Sequence, residues 1–149
     1  NGSVWPHDTA LIALGFSRYG LRDAAAQLFT GLFDASAFVD LSRLPELFCG
    51  FPRRKGEGPT RYPVACAPQT WASASVFLLL QACLGLTVEA RACRVRCSWP
   101  ILPAAIDEVR IRNLAVGKGQ VDLTFRRDDD DVSMSIARRE GEVETVVTK

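Results

Sequence analysis

Gln69-Thr70-Trp71-Ala72-Ser73-Ala74-Ser75-Val76-Phe77-Leu78-Leu79-Leu80-Gln81-Ala82-Cys83-Leu84 is the stretch on which the fold turns. It is long enough for a helix of about four turns, and Gly85 follows as a C-terminal cap. Apolar residues fall on nearly all of its sides. A helix of that kind is normally buried within a larger structure. Its longest apolar run, Val76 to Leu80, is far too short to span a membrane. The stretch is therefore expected to be an interior helix with neighbours on every face.

Upstream of it the chain also reads as helical. Pro6 suits a first helical turn, where its missing N–H costs nothing. Ala10, Leu11, Ile12, Ala13, Leu14 and Phe16 follow, and Gly20 is placed to cap. A second helix is expected from about Leu21 to Val39, with Ala25, Leu28, Phe29, Leu32 and Phe33 at helical spacing. An irregular segment then runs from about Arg43 to Pro68 and contains Gly50, Pro52, Gly56, Gly58, Pro59 and Pro63. Loops of that length inside compact domains usually carry function.

Downstream, near residue 86, the pattern changes to alternation. Val88, Ala90, Ala92 and Val95 read as one strand, and Val109, Ile111 and Leu114 as a second. Gly117-Lys118-Gly119 is a turn, followed by strands at Val121–Phe125 and Val132–Ile136, with a fifth at Val143–Val147. Asp128 to Asp131 reads as a solvated hairpin tip, since a calcium loop needs interleaved acids and a glycine. Two parts are thus expected: residues 1–86, helical, and residues 87–149, an antiparallel β tail with one apolar face. Three helices and a small sheet cannot cover the apolar helix, which points to a layered α/α assembly. The chain begins at Asn1 rather than Met, so a missing N-terminal part of the same polypeptide is expected as its partner.

Composition narrows the function classes. At 149 residues the chain is one domain's worth, and 48% hydrophobic residues supply a core. With Lys plus Arg at 18 and Asp plus Glu at 17, the net charge is +1, which argues against nucleic-acid binding. No signal peptide is visible, and a membrane partner is not expected. Five cysteines and a single histidine, His7, at spacings unlike a zinc knuckle make a metal site or other cofactor unexpected. The cysteine pattern fits a reducing cytoplasm.

Three loop-to-helix junctions carry the candidate chemistry. In Gly2-Ser3-Val4-Trp5-Pro6-His7-Asp8, an indole suited to stacking on a sugar stands beside a carboxylate able to accept from two hydroxyls. In Leu44-Pro45-Glu46-Leu47-Phe48-Cys49-Gly50-Phe51, Glu46 lies between apolar residues. Burial there raises a carboxylate pKa, as suits a general base or acid. In Tyr62-Pro63-Val64-Ala65-Cys66-Ala67-Pro68-Gln69-Thr70-Trp71, the polar and aromatic groups are Gln69 and Trp71. Taken singly, each also reads as helix entry and core packing: Trp5 as a staple, Asp8 as a first-turn acid, Glu46 as a surface residue.

Together and in order, these motifs resemble the C-terminal motifs of bacterial glycogen-debranching-enzyme-like proteins, the amylo-alpha-1,6-glucosidase group. Trp99-Pro100-Ile101-Leu102-Pro103 through Val121-Asp122-Leu123 is similar as well, so the resemblance spans nearly the whole chain. It implies a mainly α fold, the C-terminal part of an (α/α)6 barrel of the six-hairpin glycosidase type, followed by a small antiparallel β segment. It implies an inverting glycoside hydrolase acting on α-glucans or related oligosaccharides. Glu46 would be the general base, and the general acid would lie before Asn1. Trp5, His7, Asp8, Gln69 and Trp71 would contact or buttress the oligosaccharide or polysaccharide substrate, and residues 1–149 alone would be inactive. The alternatives are a non-catalytic carbohydrate-binding protein or a structural C-terminal module, and the latter requires that Trp5, Glu46 and Gln69 do not converge.

Overall fold

The computed structural model describes residues 2–129 and 131–149. Among these the order of elements is β1 (Ser3–Val4), α1 (Pro6–Arg18), α2 (Arg22–Ser36), β2 (Phe48–Cys49) and α3 (Thr70–Leu84). There follow β3 (Leu86–Glu89), β4 (Arg94–Ser98), β5 (Glu108–Val116), β6 (Gly119–Asp128), β7 (Asp131–Glu140) and β8 (Glu144–Thr148). Three helices and eight strands in three sheets make an α+β protein. The expectation of a mainly α chain, part of an (α/α)6 barrel or six-hairpin toroid, is therefore corrected. The barrel comes from the family resemblance and is overturned by the eight strands; only the layered α/α assembly rests on the apolar character of α3. One face of α3 is buried, through Ala72, Ser75, Leu79, Ala82 and Cys83, while Trp71, Val76 and Phe77 are 50%, 46% and 77% exposed.

The chain divides into two compact units, residues 1–82 and 83–149. In the first, α1 and α2 pack against each other. Pro6 opens α1, and Gly20 closes it with φ +78, the left-handed conformation that glycine adopts without strain. The Leu21 N–H then donates to the Phe16 carbonyl at 2.8 Å, the long-range bond of a Schellman cap. Ala10 and Ala13 of α1 are buried, as are Ala25, Phe29 and Leu32 of α2.

The second unit holds two sheets. β5, β6 and β7 form an antiparallel meander in which Val121, Leu123 and Phe125 alternate into the core. Its tip pairs Asp128 with Asp131; of the acidic run read as a solvated tip, Asp130 lies outside the described residues. The other sheet has the order β3-β4-β8, with β3 antiparallel and β8 parallel to β4. The single strand expected from Val88 to Val95 is two strands, because the chain reverses through a 3₁₀ turn at Ala90–Ala92 with Cys93 at φ +47. The last strand pairs with β4 rather than extending the meander. Arg94 ties this sheet together, its Nε donating to Glu144 at 2.7 Å and one Nη to Glu89 at 3.3 Å.

The five thiols occupy unlike surroundings, and all are free. Burial pushes the pKa of Cys83 up to about 11 and that of Cys97 up to about 12, because a thiolate is costly without water. Cys66 is exposed. Since the thiolate is the reactive form, Ellman's reagent at pH 8 should label Cys66 first and leave Cys83 and Cys97 unlabelled until denaturant is added. Labelling of all five at one rate in the native protein would contradict this assignment.

Candidate functional site

The three junctions singled out in the sequence meet in the first unit, and backbone pairing brings them together. β1 pairs with β2 in antiparallel register, Ser3 opposite Cys49 and Val4 opposite Phe48, which joins the first junction to the second. The second is joined to the third by reciprocal bonds between Glu46 and Cys66. The Glu46 N–H donates to the Cys66 carbonyl at 2.8 Å, and the Cys66 N–H donates to Glu46 Oε2 at 3.1 Å. The Gln69 N–H also donates to the Leu44 carbonyl at 3.4 Å. The third junction returns to the first through a ring stack, His7 on Trp71, with centroids 4.4 Å apart and planes within 18°. Each junction thus contacts the other two.

The local sequence explains how Glu46 is held. Leu44, Pro45, Leu47 and Phe48 around it are buried, which fixes the loop from both sides. Glu46 itself is half-buried. One carboxylate oxygen is engaged by the Cys66 N–H, and a carboxylate has acceptor capacity on both oxygens. Glu46 is thus a half-buried carboxylate between buried apolar neighbours.

The aromatic group is built around His7. Trp5 meets its ring edge-on, with centroids 5.6 Å apart at 87°, while Trp71 lies flat against it. His7 Nε2 stands 3.2 Å from Asp8 Oδ1. Its Nδ1 is sealed from solvent and has no hydrogen-bond partner among the described residues. The imidazole therefore serves as a spacer between two indoles. The groups offered to solvent are the Trp71 indole, half exposed, and the Asp8 carboxylate. Gln69 spends its side-chain carbonyl on the first N–H of α3, that of Thr70, at 2.9 Å, which leaves its amide nitrogen as a donor.

A second feature of this unit escaped the sequence reading. A cleft of about 940 Å³ runs between one face of α2 and the loop around residues 51–60. Val4, Thr9, Phe48 and Cys49 line it, whereas Trp5, His7, Asp8, Glu46, Gln69 and Trp71 do not. The candidate residues and the cleft thus adjoin along β1 and β2 without sharing side chains. Two signals could have revealed it: the basic run Arg53-Arg54-Lys55 in the long loop, and Gly31 in the middle of α2.

Among the described residues no group of three or more His, Cys, Asp or Glu is arranged to hold a metal ion, and no helix is long and apolar enough to cross a membrane. Searches for relatives add no family to this geometry: no protein-family model matches the chain, and no curated protein matches it.

Proposed function

We propose that the chain is part of a glycoside hydrolase acting on α-linked glucans or related oligosaccharides, of the glycogen-debranching, amylo-alpha-1,6-glucosidase type. The observation that carries this reading is the meeting of the three resembling motifs through β1–β2, Glu46–Cys66 and His7–Trp71. Residues serving unrelated helix entries have no reason to assemble in this way.

In this reading Glu46 is the general base of an inverting hydrolysis. The oxygen not bonded to Cys66 takes a proton from water as the water attacks the anomeric carbon. A general acid on the opposite side of the sugar, outside residues 1–149, protonates the leaving oxygen. Trp71 offers an indole face to a sugar ring, Asp8 accepts from sugar hydroxyls, and the Gln69 amide donates to one. His7 and Trp5 keep the Trp71 ring in place. Residues 1–149 alone carry no turnover, and a cytoplasmic location accompanies the reading.

A second reading, a carbohydrate-binding module without chemistry, is favoured by the clasp itself: Glu46 is already used to fix the Cys66 loop. Glu46→Gln separates the two, since glutamine keeps an oxygen to accept from Cys66 but cannot take the proton. In the protein made from the complete reading frame, this variant should keep its melting temperature and its tryptophan quenching by maltooligosaccharides. Glucose release from a panel of α-glucosides and limit dextrins should fall by about 10²–10⁴-fold or more, the contribution of a positioned base. Unchanged release overturns Glu46 as base. Quenching by maltooligosaccharides without release in either protein favours the module.

A further inference from the structure

The cleft along α2 has a chemistry unlike that of a sugar site. Gln27, Leu28, Gly31, Asp34 and Ala35 line it at the spacing of one face of α2, and Phe38 lines it just beyond the helix end. Gly31 lies mid-face and contributes no side chain, so the floor is hollowed there. Phe33, Phe38 and Phe51 also border the cleft and are 49%, 50% and 69% exposed. Exposed aromatic rings gathered about one hollow mark a site that takes an apolar group.

The rim is basic. Arg53 donates through both Nη atoms to Asp34 Oδ2 at 3.2 Å, and Arg54 Nε stands 2.9 Å from Glu57 Oε2. The two carboxylates of the cleft are taken by Arg53 and Arg54, and Lys55 is in no ion pair among the described residues. Three cations and two carboxylates therefore line the cleft, leaving one positive charge in excess. A ligand with one negative charge and an apolar body neutralises the rim and covers the rings.

We propose that this cleft binds an amphipathic monoanion, a carboxylate bearing an apolar chain or ring, with Lys55 at the carboxylate and Phe33, Phe38 and Phe51 around the body. Its volume of about 940 Å³ lies in the range of small-molecule sites, roughly 300–1,000 Å³. The proposal stands apart from the glycosidase reading, because the cleft shares no side chain with Glu46 or the indoles.

Decanoate below its micelle concentration, titrated calorimetrically into the whole chain, tests it. Decanoate should bind one per chain, more weakly as salt rises, while decyltrimethylammonium, with the same tail and opposite charge, should bind at least tenfold more weakly. Lys55→Glu, a surface change, should weaken decanoate tenfold or more. Gly31→Phe should abolish binding by filling the hollow; a Cβ there meets nothing within 4 Å, and an unchanged circular dichroism spectrum of the variant checks that the fold is kept. Amide shifts on decanoate addition should map to residues 27–38 and 51–60. Absence of decanoate binding, equal binding of the cationic tail, or undiminished binding by Lys55→Glu would overturn the proposal. So would binding to phosphatidylglycerol vesicles without binding of free decanoate, which would assign the cleft to a membrane surface.

Discussion

Replacing Gly50 by alanine should undo the β1–β2 pairing and loosen the cluster it organises. A Cβ at residue 50 would stand 1.6 Å from the Gly2 carbonyl oxygen and 2.5 Å from its carbon. Both are backbone atoms, so no rotamer relieves the overlap and one strand must move. β1 spans Ser3–Val4 and pairs at two positions, leaving little to hold it in register against the push. The expected cost is about 1–3 kcal/mol, as for overpacking in a tight site. It should appear first as faster hydrogen exchange at Val4 and a shift in tryptophan emission from Trp5 and Trp71. Amides of α1 and α2 should stay protected, since their Ala–Phe core does not depend on β1. Gly31→Ala is the matched control: its Cβ is in open space, and a gain of about 0.5–1 kcal/mol is expected from the helix interior. Native-like exchange at Val4 in Gly50→Ala would show that β1 moves aside freely and does not organise the cluster.

The parts of this fold legible in the sequence are those fixed by local chemistry. Pro6 and Gly20 bracket α1 because a first turn needs no N–H from proline and a cap at φ +78 needs no Cβ. Val121, Leu123 and Phe125 lie on one face because strand side chains alternate. Pairing over long separations has no such signature. Nothing local in Arg94–Ser98 or Glu144–Thr148 announces that these segments, about fifty residues apart, lie parallel. The reversal at Ala90–Ala92 carries neither glycine nor proline, so one strand is read where there are two. The barrel expectation comes from the family resemblance and fails on the eight strands, while the surroundings of α3 are unreadable for a different reason. Hydropathy tells that α3 is apolar all round, but not whether anything covers Phe77. For the candidate site, the residue types at each junction were readable. The Glu46–Cys66 clasp and the His7 ring between two indoles were not, since both depend on loops meeting in space.

Phe125→Ala should be the most damaging single change in residues 83–149. Phe125 is fully buried and is the largest such side chain among the described residues. It stands in the middle strand of the meander, opposite Val109 on β5 and Met134 on β7, so the cavity would open between both pairings. Loss of a buried phenylalanine ring costs about 3–5 kcal/mol. Whole domains are stable by only about 5–15 kcal/mol, so the β unit should lose much or all of its margin. Hydrogen exchange across β5–β7 should accelerate together, and the cooperative transition of residues 83–149 should broaden or vanish. Phe77 provides the contrast. It has the same side chain but is 77% exposed on the outer face of α3. An uncovered ring there is worth little, and Phe77→Ala should change stability by no more than about 0.5 kcal/mol. Comparable losses from the two substitutions would mean that the outer face of α3 is covered in solution, and that the enclosure expected from its sequence is supplied by something other than residues 1–149.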